Sequence, residues 1–397
     1  MAGRTRMDGL LEQGLNRIDW IRSRMQLLKR VREDFATRRP FAGRTIGVSL
    51  HLEPKTAVLI EALAAGGATI VGTGNYGSTQ DDVVAVLRHW GLSIFGRREV
   101  SWDEHLGNVR KVVEQRPDIL LDNGADLVAL ALESGAADQI IGGTEETTSG
   151  DDRLRLEFPG KVPFPVIVIN DSPLKQIVEN KHAVGQGNVE SIMRMTNLMI
   201  NGRRFVVVGY GWCGRGMAQY IRSFGGQVGV VELDPIKQLE AVMDGFRVAP
   251  LEQLAPWGQF FCTATARERV VSSSAFALMP DGAILANSGH FPTEIDTDAL
   301  RREAASVRRL GAMIEEFTMP DGRRLILLTE GRMIELAGVE AKGNSIEAMD
   351  LGFMLQALSL ERVASGAATL VKGPQAVPAD INRTIAARMV ADFTGET

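Results

Sequence analysis

Three glycines stand between an apolar run and a helix-compatible segment in the stretch FVVVGYGWCGRGMAQY, residues 205–220. In a loop of this kind one glycine allows a tight turn, one lets the backbone approach a pyrophosphate, and one lets a helix pack closely on a strand. The amino terminus of the helix that follows attracts phosphate charge. The spacing therefore predicts that Gly209, Gly211 and Gly214 bind a dinucleotide.

A carboxylate follows this loop at the distance that dinucleotide-binding folds use. The stretch VGVVELDP places Glu232 at the end of a second apolar strand, about 20 residues downstream. A carboxylate there accepts hydrogen bonds from the adenosine ribose hydroxyls, which favours NAD over NADP. A chance match is the alternative in a chain with 42 glycines. The strand, the helix and Glu232 together favour NAD as the cofactor.

The elements around this loop predict an α/β fold in two parts. From RTIGVSL (44–50) onward, short apolar runs alternate with helical patterns, as in a parallel sheet flanked by helices. A helix over 188–203 is expected to lead into the nucleotide fold, whose later strands are FFCTAT and GAILANSG. The prediction is two doubly wound parallel-sheet domains joined by a hinge. Their expected bounds are 1–186 for a substrate-binding domain, 187–346 for a Rossmann NAD-binding domain, and 347–397 for a helix that returns to the first domain and a short tail.

Composition excludes several classes of partner. The chain has 397 residues, 45% of them hydrophobic, and a net charge of −5, which argues against nucleic acid. No stretch approaches the ~20 apolar residues of a membrane span. Two cysteines, Cys213 and Cys262, fit a reducing compartment, and no zinc spacing is present. We therefore predict a cytoplasmic protein with a small-molecule substrate, no metal site and no membrane contact.

Nearly the whole chain, from RIDW to LQALSLE, resembles the S-adenosyl-L-homocysteine hydrolase family. The matching stretches occur in family order: SLHLEPKTAVL, STQDD, DNGADL, EETTSG, VINDSPLKQIVEN, GYGWCGRGMA, ELDPI, NSGHFPTEID and LTEGRMIEL. The resemblance implies tightly held NAD, a nucleoside substrate and a homo-oligomer, either a dimer or a tetramer. It also explains the long segment before the glycine loop, because in the family the front domain binds the substrate and the hinge closes it onto the nicotinamide.

The reaction that the resemblance implies is hydrolysis of a thioether. NAD oxidises the ribose 3′-hydroxyl to a ketone, which acidifies the 4′-hydrogen. The 5′-thiol is then eliminated, water adds, and the ketone is reduced again, so that the cofactor returns unchanged. The default activity is reversible hydrolysis of S-adenosylhomocysteine, or of a close analogue such as the inosyl compound, to the nucleoside and homocysteine.

The resemblance also assigns residues to the catalytic steps. Lys175, Glu146 and Glu179 match the charge set around the 3′-hydroxyl, where the lysine accepts a proton, although the family has Asp at the position of Glu179. His51 follows the strand TIGVSL and matches an acid–base histidine. His290 matches a histidine near the ribose and the nicotinamide. Without the resemblance, Lys175 would be interpreted as a surface lysine in a loop.

Further matches concern binding. Positions that touch the cofactor in the family correspond to Thr147, Thr148, Ser149, Asn180 and Asn287. Glu335 stands where the family has an Asn that contacts the nicotinamide carboxamide. Substrate-binding positions after His51 correspond to Glu53, Lys55 and Thr56. The family's GHP segment is replaced by VEAKGNSIE, and its C-terminal tail has no counterpart after ADFTGET, so NAD is expected to exchange more readily here.

One departure lies at the chemistry. The family has two adjacent aspartates in LLDNGADL, and the second, which works with the histidine on the 5′ side, is replaced by Asn123. An amide cannot take a proton at neutral pH. This leaves three functions open: hydrolysis as in the family, specialised nucleoside (antibiotic) biosynthesis that keeps 3′-oxidoreduction without thioether hydrolysis, and a non-catalytic regulatory protein that binds NAD and a nucleoside.

A second departure concerns the base of the substrate. At the position of Lys55 the family has a glutamate that accepts from the exocyclic amine of adenine. A charged lysine can only donate, so it suits a carbonyl and favours a 6-oxo purine. Glu53, where the family has Thr, either restores an acceptor or pairs with Lys55.

Overall fold

The computed structural model of the protein describes residues 2–289, 292–366 and 370–395. The chain divides into two compact units. The first contains the residues up to Lys175 and those from Ile346 onward, and the second contains Gln176–Ser345. Within the described residues no helix combines the length and the apolarity that a bilayer span requires.

The first unit is built on a seven-stranded sheet in the order β15-β6-β5-β4-β1-β2-β3, in which every pairing is parallel. Its strands are β1 (Thr45–Leu50), β2 (Thr69–Gly74), β3 (Ser93–Phe95), β4 (Ile119–Asp122), β5 (Gly142–Glu145), β6 (Pro165–Val168) and β15 (Gly373–Ala376). Its helices are α1 (Ala2–Arg24), α2 (Gln26–Arg38), α3 (Pro54–Ala65), α4 (Asp81–His89), α5 (Trp102–Glu114), α6 (Asp126–Glu133), α7 (Thr148–Leu156), α15 (Ile346–Ala364) and α16 (Ala379–Thr394).

The second unit is built on an eight-stranded sheet in the order β12-β13-β14-β11-β10-β7-β8-β9. Its strands are β7 (Arg204–Val208), β8 (Gln227–Val231), β9 (Arg247–Val248), β10 (Phe260–Thr263), β11 (Ala283–Asn287), β12 (Ser306–Gly311), β13 (Ile314–Thr318) and β14 (Arg324–Leu328). A π-helix, Lys175–Ala183, leads into its helices, which are α8 (Val184–Thr196), α9 (Trp212–Ser223), α10 (Pro235–Met243), α11 (Leu251–Leu254), α12 (Ser273–Phe276), α13 (Thr297–Glu303) and α14 (Ile334–Ala337).

The predicted fold class, two doubly wound α/β sheets, is confirmed. In the second unit the pairings from β9 to β14 are parallel and follow the Rossmann order, and β12 and β13 extend the sheet as an antiparallel edge. Alternate residues of β7 supply the cores on opposite faces of this sheet: Phe205 and Val207 on one, Val206 and Val208 on the other. This is the pattern of a strand that is buried on both faces.

The division between the units falls after Lys175 and not after residue 186 as predicted. Close packing explains the shift: a Cβ atom on Gly216 of α9 would lie 1.8 Å from the carbonyl oxygen of Lys181. A Cβ atom on Gly185 would lie 2.7 Å from the carbonyl carbon of Gly216. Two glycines thus let the segment around 181–185 lie directly on α9, and this segment belongs to the nucleotide fold.

One further sequence prediction needs correction. The helix expected over 188–203 is α8, which ends at Thr196 because Asn197 adopts a left-handed conformation, with φ of 52°, and caps it. The helix α15 groups with the first unit. After it the chain also adds the edge strand β15, whose sequence GPQA is too short and too polar to signal a strand.

Candidate active site

Polar residues cluster at the carboxyl edge of the first unit's sheet, where open α/β sheets bind ligands. Each directly follows a strand: His51 follows β1, Asn75 follows β2, Asn123 follows β4 and Glu146 follows β5. The strand order brings these ends side by side although they lie far apart in the sequence.

Lys175 and Glu146 form a buried ion pair in this cluster. The Nζ atom of Lys175 lies 3.7 Å from Oε1 of Glu146, and both side chains are less than a tenth exposed. The other carboxylate oxygen of Glu146 accepts from Nδ2 of Asn123 at 2.8 Å. The structure therefore brings together three of the residues that the sequence predicted to be catalytic.

Asn75 extends this network and was missed at the level of the sequence. Its Nδ2 atom lies 3.1 Å from both the backbone carbonyl oxygen and Oδ1 of Asn123. The amide of Asn123 is thus held at both ends, since it donates to Glu146 and accepts from Asn75. The position of Asn75, directly after an apolar strand, was the available signal.

His51 joins the same network through Ser78. Nδ1 of His51 lies 2.6 Å from Oγ of Ser78, which also lies 3.2 Å from the carbonyl oxygen of Asn75. Asn75 therefore links the two sides of the network, since its backbone carbonyl bonds Ser78 and its side chain bonds Asn123. The sequence did not single out Ser78, which lies within the stretch STQDD.

Two buried carboxylates hold the backbone of this edge in place. Glu145 accepts from the backbone N–H groups of Gly124 at 3.0 Å, Ala125 at 2.9 Å and Thr147 at 2.8 Å. Burial raises the pKa of Glu145, and these hydrogen bonds oppose that shift. The carboxylate thereby fixes the loops on either side of Asn123 and Glu146.

Asp122 supports Asn123 from the strand side. Its carboxylate accepts from the N–H groups of Asn123 and Val128, each at 3.0 Å. Burial and then the neighbouring charge of Glu145 raise the pKa of Asp122 well above its usual value.

The three predicted substrate-binding residues open α3. Nζ of Lys55 lies 3.0 Å from Oε2 of Glu53, and both side chains are buried. The same oxygen accepts from the backbone N–H of Lys55 at 3.2 Å and caps the helix. Thr56 donates its hydroxyl to the carbonyl oxygen of His51 at 2.6 Å. Of the two possibilities left open for Glu53, the structure shows the pairing with Lys55.

The residues after Glu146 form the first turn of α7. Thr147 caps this helix, since its Oγ1 atom accepts from the N–H of Gly150 at 2.9 Å and donates to Glu145 at 2.7 Å. Oγ of Ser149 lies 3.1 Å from the Thr147 hydroxyl. Thr148 accepts from the side chain of Asn170 at 2.8 Å. These three residues thus begin the helix at the same edge as Glu146.

In the second unit the glycine loop connects β7 to α9 and has the features of a pyrophosphate cradle. Gly209 has φ of 99°, and a Cβ atom there would lie 2.6 Å from the carbonyl oxygen of Ala264. A Cβ atom on Gly214 would lie 2.0 Å from the carbonyl oxygen of Gly209. At Gly211, the N-cap of α9, a Cβ atom would have no atom within 4 Å. The backbone is open where phosphate would approach, so these residues fit NAD.

Glu232 follows β8 beside this loop. Its carboxylate accepts from the backbone N–H of Tyr210 at 2.8 Å, of Leu233 at 2.7 Å and of Asp234 at 3.0 Å. These contacts orient the carboxylate and tie it to the glycine loop. It stands where a ribose hydroxyl would donate to it.

The remaining predicted residues of the second unit serve partly as structural contacts. Asn287 donates to the carbonyl oxygens of Gly289 and Gly331 and accepts from Thr263 at 2.9 Å. Oε2 of Glu335 lies 3.4 Å from Nδ2 of Asn188.

Glu179 is buried in the π-helix and accepts from Asn344 at 3.4 Å. Asn180, the next residue, is buried as well. His290 lies outside the described residues. Among the residues that the structure describes, no cluster of three or more His, Cys, Asp and Glu side chains is arranged to bind a metal.

Replacement of Glu232 by Ala should weaken NAD binding by about 10- to 100-fold, because hydrogen bonds to a charged acceptor are lost. The measurement is equilibrium binding of NAD and NADP to the wild type and the variant. Glu252→Ala, an exposed glutamate of α11, is the matched control. Unchanged affinity in Glu232→Ala, or a wild type that prefers NADP, would contradict the assignment.

Two family models match the chain. Residues 8–138 match the model for S-adenosyl-L-homocysteine hydrolase, and residues 180–341 match the model for the NAD-binding domain of S-adenosyl-L-homocysteine hydrolase. Together these matches cover most of the sequence, including His51, Asn75 and Asn123 at the carboxyl edge of the first sheet and the glycine loop of the second.

Known proteins align with the chain over nearly its full length. The S-inosyl-L-homocysteine hydrolase of Methanopyrus kandleri is 43% identical over 95% of this chain and 90% of its own. The adenosylhomocysteinase of Aquifex aeolicus is 41% identical over 95% of this chain and 91% of its own. The S-inosyl-L-homocysteine hydrolase of Methanothermobacter thermautotrophicus is 44% identical over 88% of this chain and 85% of its own.

Proposed function

The chain belongs to the S-adenosyl-L-homocysteine hydrolase family, and we propose that it catalyses the reversible hydrolysis of an S-nucleosyl-L-homocysteine. It is an enzyme whose cofactor is NAD. The observation that carries the proposal is the buried pair of Lys175 and Glu146 at the carboxyl edge of the first sheet. Burial disfavours the charged form of a lysine, and a neutral lysine can take a proton from a hydroxyl group, after which a neighbouring carboxylate stabilises the ammonium group.

Lys175 acts at the 3′ side of the ribose. Its Nζ atom accepts the proton of the 3′-hydroxyl, and Glu146 holds the ammonium group that results. NAD, when bound by the glycine loop and Glu232, supplies the hydride acceptor for the 3′ carbon and the hydride donor that restores it. Asn123 keeps Glu146 in place by donating to its second oxygen.

His51 acts at the 5′ side. A base takes the 4′ proton, the C5′–S bond breaks to leave a C4′=C5′ double bond, and the departing thiolate takes up a proton. Water then adds across this double bond, so that its oxygen bonds to C5′ and a proton returns to C4′. Asn123 cannot carry this proton, because an amide neither accepts nor releases one at neutral pH. His51, linked to Asn123 through Ser78 and Asn75, is the group that can.

Asn123 also supports a second candidate function, 3′-oxidoreduction of a nucleoside without thioether hydrolysis. An aspartate in its place would set a carboxylate against that of Glu146, and one of the two would have to be protonated. The amide instead donates to Glu146 at 2.8 Å. This arrangement keeps the 3′ half of the reaction and weakens proton transfer at the 5′ half.

One experiment separates the two functions. In the wild type with a bound S-nucleosyl-L-homocysteine, we expect NAD to be reduced quickly and thiol to be released slowly. Asn123→Asp should accelerate thiol release by up to about 10²-fold, the lower end of the range for a catalytic acid or base. Absorbance of reduced nicotinamide follows the first event, and a thiol reagent follows the second. Asn16→Asp, an exposed asparagine of α1, is the control. Thiol release that is as fast in the wild type as in Asn123→Asp would support hydrolysis through His51. Absence of thiol release from the wild type and from every variant would favour the second function.

The base that we assign to the substrate is a 6-oxo purine, as in an S-inosyl compound. Lys55 offers donors, and its partner Glu53 offers an acceptor, 3.0 Å apart. Two of the relatives named above are S-inosyl-L-homocysteine hydrolases. Finally, we assign the enzyme to the cytoplasm, as a homodimer or homotetramer, which sedimentation equilibrium would test.

A further inference from the structure

An aromatic pair at the carboxyl edge of the first sheet has no part in the chemistry described so far. Tyr76 follows Asn75 beyond the end of β2, and Trp102 opens α5 beyond the end of β3. Their ring centroids lie 5.5 Å apart at an interplanar angle of 84°. Tyr76 is 39% exposed and Trp102 is 50% exposed. Two neighbouring aromatic rings left this accessible offer their faces to a ligand.

A buried histidine lies beside these rings. His105 is 2% exposed and lies 5.3 Å from Trp102 and 6.1 Å from Tyr76, measured between ring centroids. Its Nε2 atom is 3.3 Å from Oδ2 of Asp126, the first residue of α6. The aromatic pair is therefore connected through one imidazole to a carboxylate.

Asp126 in turn pairs with Arg153. Nη1 of Arg153 lies 2.8 Å from Oδ1 of Asp126 and also donates to the carbonyl oxygen of Gly124 at 3.1 Å. Burial opposes the charge of Asp126, but hydrogen bonds from His105 and Arg153 outweigh it, so its pKa lies below the usual value. The carboxylate is ionised at neutral pH, and it connects His105, which lies beside the rings, to the guanidinium of Arg153.

The strand order places the aromatic pair beyond the 5′ end of the site, whereas Asp126 and Arg153 lie on the helices that follow β4 and β5. Along the sheet edge, the groups follow one another as Glu146 after β5, Asn123 after β4, His51 after β1 and Tyr76 after β2. Three strand spacings separate the first from the last, about 14 Å. With the 3′-hydroxyl at Lys175 and the 5′ carbon at His51, the substituent on the 5′ sulfur points toward the rings.

We propose that Tyr76, Trp102, Asp126 and Arg153 form a subsite for an amino-acid zwitterion carried on the 5′ sulfur of the substrate. The ammonium group lies against the aromatic faces and the carboxylate of Asp126, because a cation is attracted to both. The carboxylate of the ligand meets the guanidinium of Arg153. This inference rests on the proposed function, in which the leaving group is homocysteine.

The test measures the KM for homocysteine in the direction of thioether synthesis. Trp102→Leu removes the aromatic face and keeps an apolar side chain, whereas Trp102→Phe keeps the face. We expect Trp102→Leu to raise the KM for homocysteine about 5- to 30-fold more than it raises the KM for the nucleoside. Trp102→Phe should leave the KM for homocysteine close to the wild-type value. Trp20→Leu is the matched control, since Trp20 is 56% exposed on α1.

Two thiols dissect the subsite further. One, 4-sulfanylbutanoate, lacks the ammonium group of homocysteine, and we expect Trp102→Leu to leave its KM unchanged. The other, 3-sulfanylpropylamine, lacks the carboxylate. Trp102→Leu should raise its KM, as it does for homocysteine, whereas Arg153→Gln should raise the KM for homocysteine but not the KM for this amine. Equal effects of Trp102→Leu on all three thiols, or no difference between Trp102→Leu and Trp20→Leu, would overturn the subsite.

A binding measurement distinguishes failure of the subsite from failure of the proposed function. Calorimetry compares a nucleoside with its S-homocysteinyl derivative on wild-type protein and on Trp102→Leu. If the wild type makes and cleaves no thioether, the proposed function fails. The subsite then stands only if the homocysteinyl arm adds affinity that Trp102→Leu removes. If turnover is normal but the arm adds no affinity, the subsite alone is refuted.

Discussion

Exchange of Glu53 and Lys55 for the threonine and glutamate of the family should reverse the base preference of the enzyme from 6-oxo to 6-amino purine. The expected change in the ratio of kcat/KM values approaches ~10⁴–10⁵, the discrimination reached by sites built around a polar group that the wrong ligand leaves unpaired. The measurement is turnover of matched S-inosyl and S-adenosyl compounds by the wild type and the double variant.

The physical reason lies in the order of donors and acceptors. A 6-oxo purine presents an acceptor at position 6 and a donor at N1, whereas adenine presents a donor at position 6 and an acceptor at N1. In the register that the family resemblance implies, Lys55 faces position 6. Its ammonium group, with donors only, complements the carbonyl, and the carboxylate of Glu53, 3.0 Å away, complements the N1–H. Adenine in the same register meets two mismatches.

The double substitution is needed because the pair is buried. Lys55→Glu alone would place two carboxylates next to each other without a counter-ion, and loss of one partner of a buried ion pair is strongly destabilising. Thermal unfolding of the single and double variants monitors this effect. Glu61→Thr, at a half-buried glutamate of α3, serves as a control for substitution in the same helix. A wild type that strongly prefers the adenosyl compound would refute the assignment of the base.

Replacement of Lys175 by Ala should abolish NAD reduction by a bound nucleoside, with a loss of about 10²–10⁴ in rate, because the acceptor for the 3′-hydroxyl proton is gone. Thiol release should fall in parallel, since elimination at the 5′ carbon requires the 3′ ketone. Stopped-flow absorbance of reduced nicotinamide measures the first loss, and a thiol reagent measures the second.

Lys175→Arg sharpens this prediction. Arginine keeps the positive charge beside Glu146 but stays protonated at any accessible pH, so it cannot act as a base. We expect Lys175→Arg to bind the nucleoside with little change in affinity and to reduce NAD as slowly as Lys175→Ala. Lys161→Ala, at an exposed lysine before β6, is the control. Rapid NAD reduction by Lys175→Arg would show that another group takes the proton.

Local patterns in the sequence determined the fold class and the cofactor. The glycine loop and Glu232 depend on one strand, one turn and one helix that are contiguous in the chain, so their spacing alone predicted their geometry. The alternation of apolar runs likewise predicted both parallel sheets. The boundary at Lys175 was not predictable in this way, because it depends on the fit of Gly185 and Gly216 between helices.

Only the tertiary structure decided how the polar groups of the candidate site are connected. In the sheet β1 lies between β4 and β2, so Asn75 and Asn123 meet only when all three strands are in place, and their hydrogen bond spans 48 residues of sequence. The sequence likewise left two roles open for Glu53, and its ion pair with Lys55 follows from the N-cap conformation of α3. Hydrogen bonds and ion pairs depend on distances of a few ångströms between side chains, which the order of residues along the chain does not specify.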